Sequence, residues 1–262
     1  MKRIILCIIL LISVIGCEDK GGGNKLPTNV IYVNCLAVSG GDGKTWDTAL
    51  QFLDEAIESA DATKQIWVAA GDYSSQGTST KIVCPIYGGF IGDEISTSQR
   101  DISLNVVKTG VMYVQSGKLD GLITAYINAI DNSYVIHCYA ERISNNDMTS
   151  TYDECVIQKV LDGNLIRCSV REYNDYTSGI LHLSYSTSYS GFPNDKSYVT
   201  ADHSCAARLP IGIGNYEVNP TYHNRLDYDG ADDLLWTADD GYRLEIWSPV
   251  YGMGMGAYKE QW

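Results

Sequence analysis

The sequence has few basic residues, and this shortage excludes a large class of functions. Of 262 residues, 19 are Lys or Arg and 32 are Asp or Glu, so the formal net charge is −13. Binding of nucleic acid needs a basic surface that displaces counterions, and we therefore expect no nucleic acid partner. Wholesale disorder is excluded too, because 45% of the residues are hydrophobic and only 19% are charged.

Several motifs that mark well-known chemistries are also absent. There is no C-x-x-C pair, which argues against a zinc finger or a thioredoxin-like centre. There is no G-x-S-x-G nucleophile elbow and no P-loop, and no two histidines have the spacing H-x-x-x-H. Phenylalanine is scarce, with 3 residues, whereas 19 Tyr and 25 Gly are present. This composition favours strands and tight turns over helices.

The N-terminus has the pattern of an export signal. Lys2 and Arg3 precede an apolar run over residues 4–15, which is too short to span a bilayer. Gly16-Cys17 then resembles the bacterial lipoprotein signal, in which a small residue precedes the cysteine that receives the lipid. The alternative is an ordinary secretory signal that contains a cysteine. We expect residues 1–16 to be removed, residues 17–28 to be a lipidated tether, and residues 29–262 to form one domain in the bacterial envelope. The outer membrane is the expected site, with either periplasmic or surface exposure.

Six cysteines lie beyond the signal and the lipidation site: Cys35, Cys84, Cys138, Cys155, Cys168 and Cys205. An exported protein could pair them in 15 ways. Free cysteines are also among the most buried residues, and Cys138, Cys155 and Cys168 lie in strand-like runs where they could stack in a core. The sequence leaves disulfides and buried thiols equally open.

The body of the chain combines one helical pattern with many short strand patterns. Apolar residues recur at spacings of three and four from Trp46 to Ala60, which predicts an amphipathic helix over residues 48–60. Short apolar runs separated by turn residues follow, among them the runs at residues 134–138, 155–157 and 164–168. Strands of this length at short intervals are also typical of an antiparallel β-sandwich, which is the alternative fold.

Three segments resemble exported right-handed parallel β-helix proteins of the pectin-lyase-like fold. They are residues 31–73 (IYVNCLAVSGGDGKTW…QIWVAAGDY), residues 86–101 (IYGGFIGDEISTSQRD) and residues 230–258 (GADDLLWTADDGYRLEIWSPVYGMGMGAY). The resemblance implies an all-β fold, a short parallel β-helix with an N-terminal amphipathic capping helix. Residues 29–104 would form the cap region, residues 105–206 the coils and residues 207–262 a closing segment. At roughly 20–25 residues per coil, we expect four or five coils.

An acidic stretch near the C-terminus is a candidate metal site. Six aspartates fall in residues 227–240 on a glycine-bearing loop, and clustered carboxylates suit Ca2+, which takes six to eight oxygen ligands. We expect Asp227, Asp229, Asp232 and Asp240 to be the ligands. The alternative is a solvated loop in which aspartates cap turns through bonds to the backbone.

No catalytic residue can be assigned from the sequence. Arg142, Lys159, Arg167 and Arg171 have acidic neighbours, but surface ion pairs explain them, and a lone histidine in a strand, such as His137 or His182, is more often structural. Tyrosines crowd residues 171–200, where they could stack on sugars or simply fit strands. We expect an envelope lipoprotein with a non-enzymatic binding or adhesion surface for glycans or proteins. The alternatives are a polysaccharide lyase or glycoside hydrolase, which a carboxylate cluster beside a surface arginine in one groove would favour, and a structural domain without ligand.

Overall fold

The computed structural model describes residues 26–76, 80–145, 147–173, 179–192 and 198–259. The expected signal over residues 1–16, the lipidation site Cys17 and most of the tether lie outside these ranges. Within them, none of the helices has the length and apolar character needed to cross a membrane.

The described chain forms two nine-stranded sheets, here A and B, which alternate along the sequence. Strands are numbered in chain order. Sheet A contains β1 (Val30–Val33), β2 (Gln65–Ala69), β4 (Pro85–Phe90), β6 (Lys118–Asp120), β8 (Tyr134–Ile136), β10 (Thr151–Asp153), β12 (Gly163–Ile166), β14 (Leu181–Ser184) and β16 (Val199–Asp202). Sheet B contains β3 (Gly71–Tyr73), β5 (Val107–Gln115), β7 (Ile123–Ile130), β9 (Tyr139–Ser144), β11 (Val156–Val160), β13 (Ser169–Tyr173), β15 (Thr187–Ser188), β17 (Cys205–Ala206) and β18 (Tyr216–Glu217).

All pairings between these strands are parallel, and the chain winds as a right-handed β-solenoid of about seven turns. The predicted parallel β-helix is therefore confirmed over the antiparallel sandwich. The expectation of four or five coils is wrong. Leu119 pairs with Val135, 16 residues later, and Tyr152 pairs with Leu165, only 13 residues later. The coils are shorter than expected because very short turns join sheet A to sheet B. They are also more numerous than expected, since β2 and β4 already belong to the solenoid.

Apolar side chains stack inside the solenoid, one from each coil. One buried stack in sheet A consists of Leu119, Val135, Tyr152, Leu165, Leu183 and Ala201. Another consists of Cys138, Cys155 and Cys168, which is one of the two arrangements that the sequence left open. All six cysteines from Cys35 to Cys205 are free thiols in the described chain, and five of them are buried.

The predicted amphipathic helix is present but shorter than expected. A 3-10 turn over Trp46–Thr48 is capped by the Thr45 side chain, and α1 spans only Leu53–Ser59. The two are separated because Leu50 exchanges backbone hydrogen bonds with β1 instead of continuing a helix. Three buried residues of α1, Leu53, Ala56 and Ile57, pack on the core at the first strands of sheet A.

The C-terminal residues 220–259, here called the strap, run along the outside of sheet B. Tyr228 of the strap stacks on Tyr139 at 4.2 Å between ring centroids, and the Ala257 amide donates to Ser169 Oγ at 3.1 Å. Leu235, Tyr242 and Tyr258 are buried in the same cluster, which also includes Tyr139 and Val156 of sheet B. The strap therefore covers part of the solenoid's side wall.

Candidate functional site

Non-glycine residues in the left-handed backbone region recur at the short turn from sheet A to sheet B. We call this set the left-handed ladder: His137 (φ 50°), Glu154 (φ 49°), Arg167 (φ 49°), Tyr185 (φ 50°) and His203 (φ 44°). In the preceding coil the same position is Gly121, which adopts this conformation easily. For a residue with a Cβ atom, this conformation costs about 1–2 kcal/mol of free energy. Strain of this kind clusters at functional sites.

The ladder residues stack directly above one another. The backbone N–H of His137 donates to the carbonyl of the residue before Glu154, and the same bond recurs from Glu154, Arg167 and Tyr185 to the following coil. Neighbouring strands lie about 4.8 Å apart. Five side chains therefore form a row along one edge of the solenoid.

A short side chain after each ladder residue closes its turn. The residue that follows is always Cys or Ser, and its Sγ or Oγ donates across the turn to the carbonyl of the residue before the ladder position. The bonds are Cys138 to Ile136, Cys155 to Asp153, Cys168 to Ile166, Ser186 to Ser184 and Ser204 to Asp202, at 2.8–3.3 Å. This recurring Cys or Ser at intervals of 13–18 residues is the sequence signal that could have located the ladder.

His137 bridges two carboxylates at the first ladder position. Its Nδ1 lies 3.2 Å from Asp120 Oδ1, and its Nε2 lies 2.9 Å from Glu154 Oε2. Asp120 also pairs with Arg100 at 2.7 Å and with Lys118 at 2.9 Å. Burial alone would raise the pKa of Asp120, but the hydrogen bond from His137 and the charge of Arg100 outweigh it and lower the pKa to about 2.

Arg167 holds the next carboxylate in a bidentate pair. Its Nε and Nη2 lie 3.0 and 2.5 Å from the two oxygens of Asp153, and Tyr134 Oη donates to Asp153 at 2.7 Å. Arg167 Nε is also 3.4 Å from Glu154 Oε1. Burial, followed by the bond to Asp153, raises the pKa of Tyr134. Arg167 and His137 face solvent, with side chains 33% and 32% exposed, whereas the carboxylates behind them are at most 10% exposed.

A pocket of about 220 Å³ opens beside this network, between the ladder and the strap. His137 and Glu154 form its ladder side, and Trp236 and Tyr258 of the strap form the opposite side. The Trp236 and His137 ring centroids are 6.3 Å apart. We call this the seam pocket. Ligand sites commonly form where two packed parts of a chain meet.

The far end of the ladder carries two more histidines around one carboxylate. His182 Nε2 lies 3.3 Å from Asp202 Oδ2, and His203 Nδ1 lies 3.2 Å from Asp202 Oδ1. The Tyr185 ring stacks on His203 at 4.8 Å with 5° between the ring planes. This end therefore presents an aromatic face that is 39% exposed at Tyr185.

The four aspartates predicted to bind Ca2+ do not form one group, although Asp227 and Asp229 lie close to each other. Asp240 is buried and accepts the amide N–H groups of Trp236 and Thr237, at 2.6 and 3.2 Å. Asp232 accepts from Leu234. Burial, followed by the charges of Asp227 and Asp233, raises the pKa of Asp229. Across the described residues, no three His, Cys, Asp or Glu side chains form a group that could hold a metal ion. Asp232 and Asp240 cap turns, and Ca2+ binding stays a prediction.

The basic residues picked out in the sequence separate into different surfaces. Arg167 belongs to the ladder, whereas Arg142 and Lys159 are paired neighbours on the outer face of sheet B. His137 lies in the site, although the sequence favoured a structural role for it. The site also contains three carboxylates, those of Asp120, Asp153 and Glu154. Among the tyrosines of residues 171–200, Tyr185 is in the ladder and Tyr176 lies outside the described residues.

We compared the chain with protein-family models, with curated proteins and with solved structures, and none of the three comparisons found a match.

Proposed function

We propose that this protein is a lipid-anchored protein of the bacterial envelope whose β-solenoid binds a glycan, without catalysis, along the left-handed ladder. The observation that carries this proposal is the ladder itself. His, Glu, Arg, Tyr and His occupy five successive turns where glycine or asparagine would adopt the same backbone more easily. A row at about 4.8 Å spacing suits a linear polymer lying along the solenoid axis.

The chemistry of the row favours recognition of sugar hydroxyls. Arg167 and His137, each about a third exposed, form a polar rim together with the carboxylates that they hold, and the Tyr185 ring presents an apolar face for stacking. The seam pocket adds Trp236 at one end of the row. Polar side chains around an aromatic ring can form hydrogen bonds with sugar hydroxyl groups, while the aromatic ring stacks on the apolar face of the sugar.

Binding without catalysis is favoured because the carboxylates are already engaged. Asp120 has three cationic or imidazole partners, and Asp153 has a bidentate arginine and a tyrosine. A carboxylate held in this way is a poor nucleophile or base, since its lone pairs are occupied. The lipid anchor is supported by Gly16-Cys17 behind a short apolar run. A relationship to proteins of the pectin-lyase-like fold is supported by the three segments that resemble them.

A second candidate function is a polysaccharide lyase or glycoside hydrolase. One observation favours it: Asp153 and Glu154 lie beside the surface arginine Arg167, and Glu154 opens into the seam pocket. Glycoside hydrolysis uses a carboxyl pair. Cleavage would therefore be expected at this end of the ladder.

The test is a glycan panel applied to the full chain in detergent, with and without Ca2+. Tyr185→Asn keeps a residue that tolerates the left-handed turn but removes the ring, and we expect it to weaken glycan binding about tenfold. Tyr251→Asn is the matched control, because Tyr251 is 38% exposed and belongs neither to the ladder nor to the lining of the seam pocket; the affinity of this variant should equal that of the parent. Equal affinity of the Tyr185 variant, or no bound glycan, rejects the binding proposal. Shortened or unsaturated products establish the second candidate instead.

A further inference from the structure

A second groove lies at the opposite ends of the sheet B strands, where none of the ladder residues contributes to its lining. Two cavities of about 360 and 350 Å³ share Tyr189, Arg225 and Leu226 as common walls. Arg171 and Glu172 line the first cavity, and His223 and Asn224 line the second. We call the combined depression the Arg225 groove.

Arg225 is held in a defined position within this groove. Its guanidinium carbon lies 3.7 Å from the centroid of the Tyr189 ring, which is itself 38% exposed. A guanidinium stacked on an aromatic face keeps its N–H edge free for in-plane hydrogen bonds. In the described part of the chain, no Asp or Glu lies within ion-pair distance of Arg225. The cation is therefore oriented but not neutralised.

The charged side chains that line the groove determine which charge a bound ligand group should carry. Arg171 donates to Gln158 Oε1 at 3.0 Å and lies 3.8 Å from Glu172. Arg171 and Glu172 thus compensate each other, and His223 in the second cavity lies 3.0 Å from Glu245. Among the described side chains that line the two cavities, Arg225 is the one arginine without an acidic partner. In a chain with a formal net charge of −13, an uncompensated cation on an aromatic support marks a place for an anionic group.

We propose that the Arg225 groove binds a singly charged oxyanion, the carboxylate or phosphodiester group of an extended ligand, through the guanidinium edge of Arg225. The two oxygens of a carboxylate or of a phosphodiester match two parallel N–H groups of arginine, and a single arginine balances the one negative charge of either group. The two adjoining cavities accommodate the rest of the ligand on either side of Arg225. This proposal does not depend on the ladder or on glycan binding there.

The experiment follows the arginine Nε–H NMR signals of the full chain in detergent while small probes are added. Acetate and dimethyl phosphate represent the two sources of the oxyanion, and sodium chloride at equal ionic strength is the reference. We expect a saturable shift of the Arg225 signal with acetate, with dimethyl phosphate or with both, and none with chloride. A saturable shift with acetate alone identifies a carboxylate ligand, and one with dimethyl phosphate alone identifies a phosphodiester. A saturable shift with both probes means that the groove accepts either group.

Three variants make the result specific. Arg225→Gln should weaken probe binding at least tenfold, about 1.4 kcal/mol, and Tyr189→Ala should weaken it less because the charge remains. Arg142→Gln removes an equal charge from the outer face of sheet B and should bind the probes as the parent does. The proposal is overturned if chloride shifts the Arg225 signal equally, if no probe saturates, or if Arg142→Gln weakens binding as much as Arg225→Gln. Unchanged circular dichroism and melting temperature establish that each variant is folded.

Discussion

Substituting Tyr185 by glycine and, separately, by alanine measures the backbone strain of the left-handed ladder. Tyr185 has a φ of 50° and stacks its ring on His203. Both substitutions remove the ring and the stack. The difference in unfolding free energy between the two variants therefore reports the backbone alone.

The expected magnitude follows from two opposing terms. A Cβ atom in the left-handed region costs about 1–2 kcal/mol, which alanine retains and glycine relieves. Glycine loses about 0.5–1 kcal/mol more than alanine through its greater freedom in the unfolded chain. The glycine variant should therefore be more stable than the alanine variant by roughly 0.5–1 kcal/mol.

Equilibrium unfolding in urea, followed by tyrosine fluorescence and circular dichroism, measures this difference. The matched pair is Arg142→Gly and Arg142→Ala, because Arg142 is exposed in the extended strand β9. There the order should reverse, with glycine less stable by about 0.5–1 kcal/mol. If alanine is more stable than glycine at position 185 by the same amount as at Arg142, the ladder is not strained and the main argument for its function fails.

Further expectations concern acid stability, the cysteine stack and the lipid anchor. The folded pKa of Asp120 is about 2, below its ordinary value, so its stabilisation of roughly 2 kcal/mol is complete above about pH 4 and lost as the pH falls to 2; Asp120→Asn should flatten acid unfolding curves in this range. Cys155→Ser keeps a donor to the Asp153 carbonyl, as Ser186 and Ser204 do in their own coils. Its urea midpoint should exceed that of Cys155→Ala, which loses the bond and leaves a cavity costing about 1–2 kcal/mol; equal midpoints would contradict the role of the bond. Cys17→Ser should abolish incorporation of labelled fatty acid and release the chain from membranes, and retained label would reject lipidation at Cys17.

The sequence predicted those parts of the fold that local patterns encode. Strand runs such as Tyr134–Ile136 and the α1 segment follow from hydrophobic periodicity, which depends only on neighbouring residues. For Cys138, Cys155 and Cys168 the same patterns left a buried stack and disulfides equally open. The number of coils was predicted wrongly, because a turn of one left-handed residue is marked by glycine only at Gly121 and by other residues in the coils that follow.

The candidate site was largely invisible in the sequence. Arg167 stood out only as one of several basic residues, and His137 looked structural. Asp120, His137 and Glu154 lie 17 residues apart in sequence, at intervals that match no catalytic motif. Only the recurrence of Cys or Ser after each ladder residue could have indicated that these residues occupy equivalent positions.

By itself, the sequence determined the acidic balance, the all-β class and the apolar residues that fill the core, since each depends on composition or short-range order. The tertiary structure alone decided which side chains meet. A parallel solenoid places equivalent residues about 4.8 Å apart whatever their separation in sequence, so coils of 13 to 18 residues align His137, Glu154, Arg167, Tyr185 and His203 in one row. The same folding carries Trp236 of the strap to His137, almost a hundred residues earlier, because the outer face of sheet B offers apolar side chains on which the strap can pack.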